Sequence, residues 1–129
     1  MSSVGAMRLI LPPRCMLVTQ AVWGSIGYSL GALLGTLVAA PRRRHLLFIG
    51  DGSFQLTGRE LSTILRHGLK PVIFLINNGG YTIERTILGK TPRYNDVTYR
   101  AYAKLPKVFR PDTAKVSFVV HPWKNSTEC

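Results

Sequence analysis

Two polar clusters with chemical potential stand at the ends of two short apolar runs. The first is Gly50-Asp51-Gly52-Ser53, and the second, about twenty-six residues on, is Asn77-Asn78-Gly79-Gly80. Asp51 offers one carboxylate between two glycines, so backbone can approach a ligand closely there. Ser53 and the amides around Gly52 are donors suited to a phosphate. Asn77 and Asn78 add neutral amide oxygens. One carboxylate with amide and backbone oxygens is a hard-ligand set, fit for Mg²⁺ holding a phosphorylated ligand. Zinc would want cysteines or several histidines instead.

The elements that must carry these groups follow from the hydrophobic pattern. His45-Leu46-Leu47-Phe48-Ile49 reads as a buried parallel strand ending in the first cluster, and Val72-Ile73-Phe74-Leu75-Ile76 as a second ending in the other. Between them, Thr57 and Glu60 have the spacing of a capping box, which predicts a helix with Thr57 at its N-cap. Leu61, Ile64 and Leu65 supply its apolar face, and Gly68 closes it before Pro71. Strand, helix, strand is a βαβ unit, and both clusters sit at the carboxyl ends of strands, where open α/β sheets bind ligands. Further on, Val97 to Leu105 is expected to form a helix and Val116 to Val120 a strand. Residues 121–129 are polar and give no periodic signal.

Ala21 to Ala40 carries no charge and is followed by Pro41-Arg42-Arg43-Arg44, the length and flank of a membrane span. Gly27, Gly31 and Gly35 repeat a small-residue spacing that packed transmembrane helices use. Four glycines, two serines, a threonine and a tyrosine lower its hydrophobicity, so a buried helix is expected, with the glycine stripe letting it lie close to a sheet. No membrane association is expected.

Composition narrows the function classes. A hydrophobic share of 46% marks a globular chain, and 129 residues suffice for one domain. The formal charge of +11 comes mostly from scattered Lys and Arg, with one tight cluster at Arg42 to Arg44. No recognition helix or aromatic-lined basic face is readable, so no nucleic acid partner is expected. The phosphate motifs of nucleotide hydrolases and dinucleotide enzymes, G-x-x-x-x-G-K-[ST] and G-x-G-x-x-G, are absent. Cys15 and Cys129 show neither metal spacing nor a disulfide framework, which fits a reducing, cytoplasmic setting.

A Gly-Asp-Gly turn alone is common; with the paired asparagines at this distance it is specific. The run GDGSFQLTGRELSTILRHGLKPVIFLINNGGYTIER, preceded by WGSIGY at Trp23 to Tyr28, resembles the thiamine diphosphate-dependent 2-keto acid decarboxylases that act on pyruvate, indolepyruvate or branched-chain substrates. The resemblance extends over about residues 2–110. Acetolactate synthases and oxidases share the two clusters, but the GYTIE run is similar to the decarboxylase branch.

The resemblance implies an α/β fold, a partial three-layer α/β/α parallel sheet of the diphosphate-binding domain type, over residues 1–120. It implies thiamine diphosphate and Mg²⁺ as cofactors, a 2-keto acid as the parent enzyme's substrate, and a homo-oligomer. Asp51 and Asn78 would ligate the metal by side chain and Gly80 by its carbonyl. Ser53, with Gly52 beside it, would contact the diphosphate. The Gly24 carbonyl would accept from the cofactor's amino group, with Ser25 adjacent, and Ile26 would wedge the cofactor into a bent shape. Ile83 would line the substrate pocket, and Glu84 would assist carboxylate departure and proton delivery. Taken singly, Glu84 reads as a surface carboxylate, Ile26 as a core residue and Trp23 as a packing aromatic. Gly79 departs from the Asp most common at its position, which is not a metal-ligand position.

In the family the glutamate that activates the cofactor ring and a pair of adjacent histidines lie in an amino-terminal domain. His45, His67 and His121 stand alone here. The sequence is therefore expected to be a fragment of a decarboxylase, inactive or nearly so by itself. The alternatives are a module that pairs with a full-length homologue, or a small membrane protein anchored through residues 21–40.

Overall fold

In a computed structural model, residues 10–20, 22–89 and 93–112 are described. Helix α1 spans Tyr28–Ala39, strand β1 Leu46–Gly50, helix α2 Asp51–Thr57, helix α3 Glu60–Arg66 and strand β2 Val72–Ile76. Helix α4 spans Thr82–Leu88 and helix α5 Leu105–Phe109, with short 3-10 turns at Arg93–Asn95 and Tyr102–Lys104. The two strands pair in parallel, Leu46 opposite Val72 through Gly50 opposite Ile76. The fold is α/β, and the register brings both polar clusters to one edge of the sheet.

The core is built from one stripe of each element. Leu30, Leu33 and Leu37 of α1 lie at helical spacing, Leu47 and Ile49 alternate along β1, and Phe54, Leu61, Ile64 and Leu65 come from α2 and α3. Ile73, Leu75 and Leu105 close its margin. The other face of the sheet is open: Leu46, Phe48, Val72, Phe74 and Ile76 are 43–55% exposed. Both strands were expected to be buried, yet among the described residues only one face is. An apolar run says that its side chains want cover; it does not say from which segment cover comes.

Three local expectations change. Thr57 is not an N-cap: α2 starts directly at Asp51, Thr57 is its last residue, and the cap of α3 is Arg59, in helical geometry and without a side-chain bond. The chain passes from α2 to α3 through Gly58 and Arg59 with turn bonds from Leu61 N–H to Gly58 O and Ser62 N–H to Arg59 O. The glycine stripe does not face the sheet either. A Cβ at Gly31 or Gly35 would meet nothing within 4 Å, whereas one at Gly27 would touch α2. The helix packs through its leucines instead. Finally, Val97 to Ala101 is not helical; Pro106 sits at the start of α5, where its missing N–H costs nothing and its fixed φ helps.

Gly68 does close α3, at φ +64, with its N–H on Leu65 O and that of Leu69 on Ile64 O. Helix α1 is 12 residues long, starting after Gly27 at φ +90, so Ala21 to Ala40 is not one helix. No helix among the described residues is long and apolar enough to cross a membrane. The strand expected at Val116 to Val120 and the tail 121–129 lie outside the described residues.

Candidate active site

Asp51 is the first residue of α2 and is 1% exposed. Burying a carboxylate is costly unless partners replace its water. Its Oδ1 accepts from the Gly52 N–H and its Oδ2 from the Gly79 N–H, each at 2.9 Å. The second bond ties the end of β1 to the loop after β2. Among the described residues no Lys or Arg pairs with Asp51, so its negative charge is available to a cation.

That loop is shaped by two glycines. Gly79 has φ +71 and Gly80 φ +152. The left-handed region suits Gly, and Asp more than most residues, which makes the Gly at position 79 a compatible departure. Gly80 is buried, and a Cβ there would run into the Asn95 carbonyl oxygen and the Arg85 guanidinium. The loop is stitched to Arg93–Asn95 and its successors: Tyr81 N–H donates to Asn95 O and Val97 N–H to Gly79 O. Arg85 Nη2 donates to Gly79 O at 2.9 Å and to Asp96 Oδ1 at 2.7 Å.

Asn78 completes the arrangement. Its Nδ2 donates to Thr82 Oγ1 at 2.6 Å, which turns Oδ1 toward Gly80 O at 3.0 Å and Asp51 Oδ1 at 3.1 Å. With Oδ1 on that side, it repels both oxygens unless a cation lies among them. An octahedral Mg²⁺ with bonds of about 2.1 Å holds adjacent oxygens about 3 Å apart, so the spacing fits that ion. With the amide turned over, its nitrogen donates to both oxygens and Oδ1 accepts from Thr82. The same amide could thus face a cation with its oxygen or satisfy both oxygens with its nitrogen. No cluster of three His, Cys, Asp or Glu occurs among the described residues, which leaves this oxygen set as the metal candidate.

Around it, Ser53 lies one turn into the site on α2, half-buried, with Oγ accepting from Gly27 N–H at 2.9 Å. A hydroxyl that accepts one bond still has its own proton to donate, here to a phosphate oxygen. Gly24, Ser25 and Ile26 form an exposed stretch before α1, with Gly24 at φ +59. Ser25 N–H donates to Gln20 Oε1. Ile83 and Glu84 occupy the first turn of α4, directly after the loop; Ile83 is 42% exposed and Glu84 half-buried. The structure thus gathers Asp51, Gly52, Ser53, Asn78 and Gly80 at one edge. Asn77 is exposed and enters none of these bonds.

Four contributors were not read as such: the signal at Thr57 pointed to a helix cap, and the other three carried none for these contacts. Thr57, Tyr81, Arg85 and Asn95 act on the loops through backbone contacts or ring packing, and nothing in their local sequence announces partners so far along the chain. For Asn95, burial at 2% exposure is the structural mark.

The chain is 49% identical over 100 residues to pyruvate decarboxylase isozyme 2 of Saccharomyces cerevisiae, covering 74% of this chain and 18% of that protein. It is 51% identical over 96 residues to the alpha-keto-acid decarboxylase of Mycobacterium avium, covering 74% and 17%. The chain spans about a fifth of the length of the curated relatives it matches. The C-terminal TPP binding domain of thiamine pyrophosphate enzymes matches residues 2–119, and the chain belongs to that family.

Proposed function

We propose that this chain is the diphosphate- and metal-binding part of a 2-keto acid decarboxylase, holding thiamine diphosphate through Mg²⁺. The observation that carries the proposal is the meeting of the Asn78 side-chain amide with Gly80 O at 3.0 Å and with Asp51 Oδ1 at 3.1 Å, beside the buried Asp51 carboxylate. Asp51 and Asn78 would bind the ion by side chain and Gly80 by its carbonyl. Ser53 and the Gly52 region would donate to the diphosphate. Gly24 would accept from the amino group of the cofactor, with Ser25 next to it, and Ile26 would pack against its bend. Glu84 and Ile83 would face the substrate, Glu84 holding or delivering a proton. When bound, the cofactor supplies the nucleophilic carbon and electron sink that a 2-keto acid needs to lose carbon dioxide.

The proposal for these 129 residues alone is binding with little or no turnover. The resemblance puts the ring-activating glutamate in a different domain, and the site described here supplies no substitute for it. A cytoplasmic location is part of the reading, on the free, exposed Cys15 and the lack of a disulfide pattern. So is self-association or pairing with a longer homologue, favoured by the open sheet face.

The test is calorimetric titration of the chain with thiamine diphosphate in Mg²⁺, beside Asp51→Ala. Saturable binding that disappears in Asp51→Ala supports the proposal. A folded chain that shows no binding, or equal binding in the variant, overturns it. Carbon dioxide release from a 2-keto acid by the purified chain would overturn the turnover part alone.

A further inference from the structure

Gly27 has both of its backbone polar groups taken by side chains of one helix. Its N–H donates to Ser53 Oγ at 2.9 Å, and its carbonyl accepts from Thr57 Oγ1 at 2.8 Å. Residues 53 and 57 are four apart on α2, so their side chains stand one above the other on the same face. The approach is close. Gly27 is buried at φ +90, and a Cβ there would come 3.0 Å from Thr57 Cγ2 and 3.1 Å from Leu56 Cβ. The result is a two-point clamp between α2, whose first residue is Asp51, and the exposed stretch Trp23 to Ile26.

We infer that Thr57 is a positioning residue for the thiamine half of the cofactor, an inference that rests on the cofactor reading above. The Asp51 end of α2 and the Gly24-to-Ile26 stretch would grip opposite halves of one ligand, so their separation must be fixed before it binds. Ser53 and Thr57 fix it at Gly27, immediately beside Ile26. With the Thr57 bond gone, Ser53 remains a single pivot about which the stretch can swing. The metal contacts, made by Asp51, Asn78 and Gly80, do not pass through Gly27, and Ser53 keeps both its bond from the Gly27 N–H and its own proton when the Thr57 bond is lost. Thr57 therefore controls one half of the affinity and leaves the other alone.

The test compares two ligands, thiamine diphosphate and inorganic pyrophosphate, each with Mg²⁺, by calorimetry on the full chain. Thr57→Val keeps the shape and removes the donor; Thr57→Ser keeps the donor. Loss of one hydrogen bond at the clamp should weaken thiamine diphosphate by about ten-fold in Thr57→Val. Pyrophosphate should change by less than about two-fold, since Asp51, Asn78 and Gly80 are untouched and Ser53 stays held by the Gly27 N–H. Thr57→Ser should restore the preference for the full cofactor. A general structural role would weaken both ligands together, and that result overturns the inference, as does an unchanged Thr57→Val. Hydrogen exchange on the unaltered chain gives a readout that needs no variant: the Gly27 amide must be protected, and exchange at the free-peptide rate overturns the clamp. A wild-type chain that binds neither ligand removes the cofactor reading and this inference with it. Binding of both ligands with no selective effect removes this inference alone.

Discussion

The ring of Tyr81 occupies the place where a side chain on residue 52 would have to stand: a Cβ built on Gly52 would lie 2.5 Å from Tyr81 Cε1. The loop after β2 thus lies directly on the first turn of α2, and the glycine is what admits it. Gly52 has no positive φ to explain it; the constraint is close approach alone. Gly52→Ala should destabilise the chain by about 1–3 kcal/mol, the range for overpacking a tight contact. It should also displace the loop that carries Asn78 and Gly80. Adding Tyr81→Ala should return part of that stability, because the clash goes with the ring. Urea unfolding of the two single variants and the double variant checks this, and strictly additive losses would contradict it.

Metal dependence provides the next prediction. Because the oxygens of Asp51, Asn78 and Gly80 lie together without a fixed positive partner, the diphosphate should bind poorly when its Mg²⁺ is removed. Thiamine diphosphate at about 100 times its dissociation constant should stabilise the folded chain by roughly 2.7 kcal/mol in Mg²⁺. Excess chelator should abolish that gain, and restored Mg²⁺ should bring it back. Asn78→Ala should mimic the chelator, whereas replacement of the exposed Asn77 by Ala should leave the gain in place. Thermal melts with and without ligand distinguish these outcomes.

These contrasts separate what could be read along the chain from what could not. Both strands and their polar ends were legible, since an apolar pentapeptide followed by Gly-Asp-Gly or Asn-Asn is a local signal. The closing Gly68 was legible for the same reason. Thr57 was misread because its spacing to Glu60 imitates a cap, while its hydroxyl is spent on a carbonyl 30 residues away. Tertiary demand decided the bond. Gly31 and Gly35 misled in the opposite direction: their regular spacing suggested a contact face, but the neighbouring leucines do the packing. The placing of the Asn78 amide and the Gly80 carbonyl beside Asp51 depends on positive φ at Gly79 and Gly80 and on the bond from Asn78 to Thr82. Only a structure reveals how those combine.

Arg85 should matter more to the loop than to global stability. Its guanidinium joins Gly79 O to Asp96 Oδ1, yet the Asp96 side chain is 61% exposed. Exposed ion pairs contribute at most about 1 kcal/mol, and the bond to Gly79 O adds about the same. Arg85→Met should therefore cost about 1–2 kcal/mol of stability and weaken Mg²⁺-dependent cofactor binding further by loosening Gly80. Asp96→Asn, which leaves the Arg85 bond to Gly79 possible, should have the smaller effect on binding. Titrations of both variants under one buffer give the comparison, and an inverted order would show that the ion pair, not the carbonyl bond, holds the loop.

The open face of the sheet leads to a prediction about association. Phe48 and Phe74 stack across the strands at 4.7 Å between ring centroids, flanked by Leu46, Val72 and Ile76. Such a pair contributes about 0.5–1.5 kcal/mol beyond its area, yet half of each ring faces outward. Five exposed apolar side chains side by side are expected to draw another copy of the chain. Replacing Phe48 and Phe74 by Thr keeps β-propensity and leaves the buried alternation of Leu47, Ile49, Ile73 and Leu75 intact. The double variant should lose no more than about 2 kcal/mol, the ring pair plus a share of half-buried area. Its weight-average mass at high concentration should fall toward that of a monomer, whereas the unaltered chain should show concentration-dependent association in sedimentation equilibrium. Equal association of both chains would move the self-contact away from the sheet, to the exposed Val22 and Trp23 before Gly24.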